Sequence, residues 1–156
     1  MDQTEERVRA ELEALNVEFW YRVDHLNGAG VDELFTVDGA YSVAHGRNAG
    51  RRAIAESYVQ RAARGPRVSR HVHSNLRVAI ESPTRAHGTS ILTLWARDGE
   101  APLQLTLPVS VSDVDDDYVL EVDGMWRIEH RHLTTVFQGP EKGVLPFGPP
   151  AADGED

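Results

Sequence analysis

Asp24 is the first residue whose surroundings in the sequence suggest chemistry. It lies near the end of a long helical pattern, and Trp20 and Tyr21 precede it by four and three residues. Residues at these spacings share a helix face. Flanking aromatic rings would partly remove the carboxylate from water, which raises its pKa and makes it a better proton acceptor near neutral pH. The alternative is a surface carboxylate or a structural hydrogen-bond acceptor.

A second set of polar side chains alternates with apolar ones between residues 69 and 80. The polar members are His71, His73, Asn75 and Arg77. Alternate residues of a strand share a face, so this set faces either the mouth of a cavity or the solvent. Imidazole is the side chain best suited to exchange a proton at physiological pH. His71 and His73 are therefore both candidates for proton exchange on this strand.

Two pairs of histidines, His71/His73 and His130/His132, could suggest a metal site. In a strand each pair would share a face, and imidazole binds zinc, copper and iron. No third, carboxylate ligand stands near either pair in the sequence, and the chain has no cysteine to supply thiolates. The sequence therefore predicts no metal site, and we expect no cofactor.

Charge and length restrict the kind of partner. The chain has 156 residues, which fits one domain. Its 16 basic residues are outnumbered by 25 acidic ones, which argues against nucleic acid and anionic membranes as partners because both need a basic surface. The sequence also shows no signal segment and no apolar run of the ~20 residues that span a bilayer. We expect a cytoplasmic protein.

The first half of the chain has helical periodicity. Apolar residues recur every three or four positions from Val8 to Leu26, which predicts one long helix with a buried stripe. Asn27-Gly28 ends this helix. Residues 46–50 suggest a loop, and a second helix is predicted over residues 51–64.

The second half of the chain is rich in β-branched and aromatic residues. Strands are predicted over residues 69–80, 86–97, 103–114 and 126–137, with shorter ones at 40–43 and 118–122. Asp115-Asp116-Asp117 suggests a turn, and Asp123-Gly124 is a strong hairpin signal. Leu105, Leu107 and Phe137 are expected in the core. Helices followed by antiparallel strands predict an α+β fold.

Four local patterns together resemble the SnoaL-like branch of the NTF2-like superfamily. They are Asp24 followed by Leu34-Phe35-Thr36, residues 46–50 before Arg51-Arg52-Ala53-Ile54, residues 70–75, and residues 123–128. The resemblance implies a cone, in which a curved antiparallel sheet wraps the long N-terminal helix around an apolar pocket, and it implies a homodimer. We place this domain at residues 1–138 and interpret residues 139–156, rich in Gly, Pro and acids, as a flexible tail.

The resemblance also implies roles for individual residues. Dehydratase-like relatives set an Asp of the first helix opposite a His of the long strand, and Asp24 and His71 match these positions. A Tyr that such relatives often place five residues before the Asp is Phe19 here, so Tyr21 or Tyr41 would have to supply a phenol.

The sequence thus predicts a cofactor-independent lyase or isomerase of the dehydratase, double-bond isomerase or cyclase type. Its Asp24–His71 acid–base dyad would act on a small, mainly apolar cyclic substrate. The residues expected to bind that substrate are Trp20, Tyr21, Tyr41, Asn75, Trp95 and Arg131. The alternative is a non-catalytic module of the same fold that binds a small molecule or dimerises. A small subunit of a larger oxygenase is a third possibility.

Overall fold

The computed structural model of the chain describes residues 3–140. Its helices are α1 (Gln3–His25), a short 3₁₀ helix (Val31–Leu34) and α2 (Arg51–Ala62). Its strands are β1 (Phe35–Val43), β2 (Gly46–Ala49), β3 (Arg67–Ser82), β4 (Arg85–Asp98), β5 (Ser110–Leu120) and β6 (Trp126–Gln138). Of the tail predicted at residues 139–156, only Gly139 and Pro140 lie inside the described part of the chain.

Helix α1 buries the stripe that its sequence predicts. Leu12, Phe19 and Val23 are buried along it, while Leu26 is largely exposed just past its end. The chain turns away through Asn27 and Gly28, both with positive φ. At Gly28 a Cβ would collide with the ring of Tyr58, so a glycine there allows the turn to pack directly on α2.

The six strands form one sheet in the order β2-β1-β6-β5-β4-β3. All neighbours are antiparallel except β1 and β6, which are parallel. Helix α1 packs against β3 and β6, and α2 packs against β1 and β2. The curved sheet around a long helix confirms the predicted α+β cone. Throughout, the face of the sheet that covers α1 is called the inner face.

Irregularities in the sheet change which residues face inward. In β3 the register shifts between Ser74 and Arg77, where Asn75 has a φ of 58°. A bulge of this kind adds one residue to a strand and bends it. Ser69, His71 and His73 lie on the inner face before the bulge, and Leu76 and Val78 lie on it afterwards. The inward set therefore changes from odd to even numbers along one strand.

Three predictions about the strands are wrong. Residues 46–49 form β2 and not a loop, and residues 103–109 do not form a strand. Strand β5 continues through residues 115–117, where a turn was expected, because Asp116 points inward to a partner while its neighbours face out. The side chains of Leu105, Leu107 and Phe137, expected in the core, are exposed.

Candidate functional site

Asp24 and His71 lie in direct contact on the inner side of the sheet. Nδ1 of His71 is 2.6 Å from Oδ1 of Asp24, and the backbone N–H of His71 donates to Oδ2 at 2.7 Å. The hydroxyl of Ser69 also donates to Oδ1 at 2.7 Å. Helix α1 supplies the carboxylate, and β3 supplies all three donors because residues two apart on a strand share a face. The carboxylate thus fixes both the position of the imidazole and the tautomer with hydrogen on Nδ1.

The surroundings set the protonation state of each partner. Burial alone would raise the pKa of Asp24, but the hydrogen bonds from His71 and Ser69 outweigh it and lower that pKa. Burial is the largest influence on His71, and together with the charges of Arg61 and Arg67 it lowers the pKa of the imidazole despite the raising effect of Asp24. Near neutral pH the pair is therefore a carboxylate and a neutral imidazole. With Nδ1–H bound to Asp24, the lone pair of His71 is on Nε2, which can accept a proton.

Trp20 covers one side of the imidazole. Its ring stacks on His71 with 4.5 Å between centroids and 16° between planes. Trp20 precedes Asp24 by four residues, so one helix face carries both the carboxylate and the covering ring. Only 11% of the His71 side chain and 6% of the Asp24 side chain reach solvent. The stack limits rotation of the imidazole and limits access of water to it.

A second charged group lies fully inside the cone. The guanidinium of Arg131 on β6 donates from Nε and Nη2 to the two carboxylate oxygens of Asp116 on β5, at 2.8 and 2.7 Å. It also donates to the side-chain oxygen of Asn16 on α1. The hydroxyl of Tyr118 donates to Asp116 and accepts from the amide of Asn16. This network joins α1 to β5 and β6 and holds Arg131 in one orientation.

Several buried polar atoms on the inner side have no hydrogen-bond partner within residues 3–140. They are Nε1 of Trp20, Nε2 of His73, Oγ of Ser90 and Nη1 of Arg131. Buried polar groups in native proteins are almost always paired. These unpaired groups lie on the same inner side of the sheet as the Asp24–His71 pair.

Tyr41 lies inside the cone, within an aromatic cluster. Its ring is 5.9 Å from that of Phe19 and 6.2 Å from that of Phe35. Burial raises the pKa of its phenol strongly. A phenol that resists ionisation can serve as a hydrogen-bond donor and not as a base.

Three residues predicted to bind the substrate lie elsewhere. Tyr21 is 52% exposed and packs on His25. A step of three residues falls short of a full helical turn and a step of four passes it, so Tyr21 and Trp20 lie on opposite sides of Asp24, and it is Trp20 that stacks on His71. Asn75 is exposed at the bulge of β3, where the added residue turns its side chain away from the cone. The structure corrects both expectations.

Trp95 is the third corrected residue. Its strand register pairs it with Arg70, whereas Leu94 pairs with His71. Paired residues share a face, so Trp95 lies on the outer face, where its indole N–H donates to the carbonyl of Thr106. Leu94, one position earlier on β4, is the residue that faces the same side as His71, so Trp95 lies on the side of the sheet opposite the Asp24–His71 pair.

The sequence pattern did not identify Asn16, Asp116 or Ser69. Asn16 carried a usable signal, since it lies four residues from both Leu12 and Trp20 on the buried stripe, and a polar residue there needs a partner. Asp116 is one of three consecutive aspartates, a pattern that suggested an exposed turn and not a buried side chain. Ser69 differs from Asp24 by 45 positions, and only the fold brings their side chains together.

Among residues 3–140, no group of three or more His, Asp or Glu side chains is arranged to hold a metal ion. None of the helices in this range combines the length and the apolar character that crossing a bilayer requires.

Comparison with known families gives the class of the protein. The family described as the SnoaL-like domain matches residues 5–132. The chain therefore belongs to the SnoaL-like family, of NTF2-like fold, as its four local patterns predicted. No curated protein matches the chain.

Solved structures share the fold at low sequence identity. A putative scytalone dehydratase from Novosphingobium aromaticivorans is 21% identical with a TM-score of 0.76, and the match covers 97% of this chain and 99% of that one. A hexachlorocyclohexane dehydrochlorinase, LinA type 2, is 16% identical with a TM-score of 0.73, over 97% and 100% of the two chains. A Catenulispora acidiphila protein in complex with S-DNPA is 18% identical with a TM-score of 0.71, over 83% and 93%.

Proposed function

We propose that this SnoaL-like protein is a cofactor-independent lyase or isomerase of the dehydratase, double-bond isomerase or cyclase type. Its substrate is a small, mainly apolar cyclic molecule, and Asp24 and His71 are its acid–base pair. The observation that supports the proposal most directly is the 2.6 Å contact between His71 Nδ1 and an Asp24 carboxylate that also accepts two further hydrogen bonds. The solved structures of similar fold include a putative dehydratase and a dehydrochlorinase.

The chemistry begins with proton removal. Nε2 of neutral His71 takes a proton from the carbon next to a substrate carbonyl, and the electron pair of that C–H bond moves into an enolate. Asp24 stabilises the imidazolium that forms. The imidazolium then returns the proton to a hydroxyl on the next carbon, so that the C–O bond breaks and water leaves. Delivery of the same proton to another carbon gives isomerisation.

The remaining inner residues position the substrate in this proposal. Trp20 covers the imidazole, and Arg131 and Tyr41 orient the substrate oxygen. Negative charge on that oxygen grows as the proton leaves, and fixed donors in a site with little water stabilise such charge strongly. Tyr21, Asn75 and Trp95 take no part.

Two further expectations belong to the same proposal. The resemblance to the family leads us to infer a homodimer, which light scattering on the purified protein would test. We also infer action in the cytoplasm, which localisation of a tagged chain in cells would test.

The step common to all three reactions can be assayed without knowing the natural substrate. The protein is incubated in D₂O with a panel of cyclic ketones and β-hydroxy ketones, and mass spectrometry follows deuterium uptake beside the carbonyl and loss of water. We expect catalysed exchange in the wild type. We expect a loss on the order of 10²- to 10⁴-fold in Asp24→Asn and in His71→Gln.

The outer face supplies a matched control for these variants. His87 and Asp117 form a second His–Asp pair there, with Nδ1 3.0 Å from Oδ1, and the same exchanges His87→Gln and Asp117→Asn should leave the rate unchanged. If folded wild-type protein catalyses no exchange across the panel, or if His71→Gln keeps the full rate, the enzyme proposal fails. The non-catalytic binding module would then be preferred.

A further inference from the structure

Arg61 places a positive charge close to the Asp24–His71 pair. It lies in the last turn of α2, and its side chain is half-buried. Tyr58 is buried three residues earlier on the same helix, and residues at this spacing share a face, so Arg61 extends toward the interior. Nη2 of Arg61 donates to the hydroxyl of Ser69 at 3.2 Å. Burial lowers the pKa of Arg61, yet a guanidinium keeps its proton in proteins.

The hydroxyl of Ser69 joins this charge to the pair. A serine hydroxyl has one hydrogen to donate and two lone pairs that accept. Because Arg61 donates to the oxygen of Ser69, the single hydrogen of that hydroxyl is directed to Oδ1 of Asp24, at 2.7 Å. The same Oδ1 is 2.6 Å from Nδ1 of His71. Arg61 and His71 are therefore linked to one carboxylate oxygen, the first through a hydroxyl and the second directly.

The other arginines near the pair already have counter-charges. Arg67 at the start of β3 contacts Asp98 at 2.8 Å, and Arg131 is held by Asp116. Within residues 3–140, Arg61 makes no such contact with a carboxylate, and its hydrogen bond is to a neutral hydroxyl. A half-buried guanidinium without a directly bound carboxylate is costly unless an opposite charge lies close by.

Asp24 supplies that opposite charge. The phenols of Tyr58 and Tyr41 also lie near Arg61, but burial raises the pKa of both, so they are neutral. The charge of Asp24 raises the pKa of Arg61, and the charge of Arg61 lowers the pKa of His71. Two charges thus stand beside a neutral imidazole, a carboxylate from α1 and a guanidinium from α2.

We propose that Arg61 is a positioning residue for the acid–base pair: through the hydroxyl of Ser69 it is the counter-charge of Asp24, and it holds His71 in the neutral, proton-accepting form. The inference rests on the proposed function and adds what controls the protonation of that site. When His71 takes a proton, the three groups carry two positive charges and one negative charge. Without Arg61 the imidazolium and the carboxylate would balance each other. Arg61 therefore makes the imidazolium a stronger acid, which returns its proton to the substrate more readily.

Titration of His71 by NMR tests this without any substrate. In Arg61→Gln the pKa of His71 should rise, because Asp24 then acts on the imidazole without an opposing charge. The pKa of the Asp24 carboxyl should rise too. Arg61→Lys keeps the positive charge and should stay close to the wild type. The matched control is Arg64→Gln, an exposed arginine three residues further on, which should shift neither group.

The dependence of the exchange rate on pH gives a second readout. The rate in D₂O should fall as the pH drops through the pKa of His71, since only neutral imidazole accepts a proton. In Arg61→Gln this fall should occur at higher pH, and the rate should recover when the pH is raised. A merely structural role of Arg61 would lower the rate equally at every pH.

The route through Ser69 is tested by combining exchanges. In a Ser69→Ala background, Arg61→Gln should shift the pKa of His71 less than it does in the wild type, because the bridging hydroxyl is gone. Circular dichroism and urea unfolding establish that each variant is folded. If Arg61→Gln does not fold, Arg61→Met keeps the apolar stem of the side chain and carries the same expectation.

The outcomes separate this inference from the enzyme proposal. A raised pKa of His71 in the neutral variants, in a protein that catalyses no exchange, would support the role of Arg61 and reject the enzyme. Catalysed exchange with an unchanged pH dependence in Arg61→Gln would do the reverse. The role of Arg61 would also be overturned if His71 titrated as in the wild type without the guanidinium, or if Arg61→Lys or Arg64→Gln shifted it as much as Arg61→Gln.

Discussion

The two faces of the sheet carry the same kind of pair in different surroundings. On the inner side, His71 and Asp24 are in contact at 2.6 Å, with 11% and 6% of their side chains exposed. On the outer face, His87 and Asp117 are in contact at 3.0 Å, with 36% and 47% exposed. The inner carboxylate accepts two additional hydrogen bonds, from the backbone of His71 and from Ser69.

This difference shows that residue type alone does not make a reactive pair. Water screens the outer pair and can replace either partner, so its contribution to stability is small. On the inner side, fixed donors hold the carboxylate ionised and burial keeps the imidazole neutral. The inner Asp24–His71 pair is therefore set to accept a proton, and the outer pair is an ordinary surface contact.

The largest expected effect concerns the inner ion pair of Arg131. Asp116→Asn would leave a buried guanidinium without its counter-charge, and we expect it to lower the free energy of unfolding by about 3–5 kcal/mol. Asp113→Asn, on the exposed side of the same strand, is the matched control and should change stability by less than about 0.5 kcal/mol. Urea unfolding followed by circular dichroism measures both. If Asp116→Asn and Asp113→Asn lowered the free energy of unfolding equally, the inner and outer faces of β5 would not differ as described.

A second effect is a loss of stability in acid that originates on the inner face. The pKa of His73 is lowered to about 4 in the folded chain, whereas an unfolded histidine titrates near 6.5. Between these values the unfolded state binds more protons, so stability falls as the pH drops. His73 is partly exposed, which reduces the effect. We therefore expect the free energy of unfolding to fall by about 2 kcal/mol between neutral pH and about pH 4 because of His73.

The test of this pH dependence is the slope of the free energy of unfolding against pH. His73→Phe should flatten that slope, and the exposed control His45→Asn should not. The lowered pKa values of Asp24 and His71 act in the same direction, so a smaller slope will remain in the variant. An unchanged slope in His73→Phe would mean that His73 is already open to solvent.

A smaller effect is expected from one donor to Asp24. Ser69→Ala removes the hydroxyl bond at 2.7 Å and should cost about 1 kcal/mol of stability. It should also raise the pKa of the Asp24 carboxyl, because that bond favours the charged form. Carboxyl ¹³C shifts recorded across a pH titration measure the change. A pKa that stays in place would show that the backbone N–H of His71 is sufficient to hold the carboxylate.

The smallest effect is expected on the outer face. His87→Gln and Asp117→Asn should each change the free energy of unfolding by no more than about 0.5 kcal/mol, because exposed pairs contribute little. Urea unfolding followed by circular dichroism measures these changes as well. A cost above about 2 kcal/mol would place this pair in a structural role that its exposure does not suggest.

Much of the fold follows from local patterns in the chain. The stripe from Leu12 to Val23 predicted α1, and the turn at Asp123-Gly124 predicted the connection between β5 and β6. Both are governed by side-chain periodicity and by backbone preferences within a few residues. Asp24 and His71 could be singled out in the same way, by their neighbours and by the resemblance to a family.

Other features could not be predicted because they depend on register between distant segments. One extra residue at Asn75 reverses which side of β3 faces inward, and one step of register places Trp95 outside. The partner of Arg131 was a member of an acidic run that resembles a turn, although it lies only 15 positions away.

The two long helices, most of the strands, the Asp123-Gly124 turn and the identity of the two residues proposed for catalysis were thus available from the chain alone. The contact between Asp24 and His71, 47 positions apart, the neutral charge of the Arg131–Asp116 pair and the unpaired donors beside them arise in the folded cone. The physical reason is that ionisation and hydrogen bonding depend on burial and on distance in space. A linear pattern contains the residue types but not their separation or their exclusion from water.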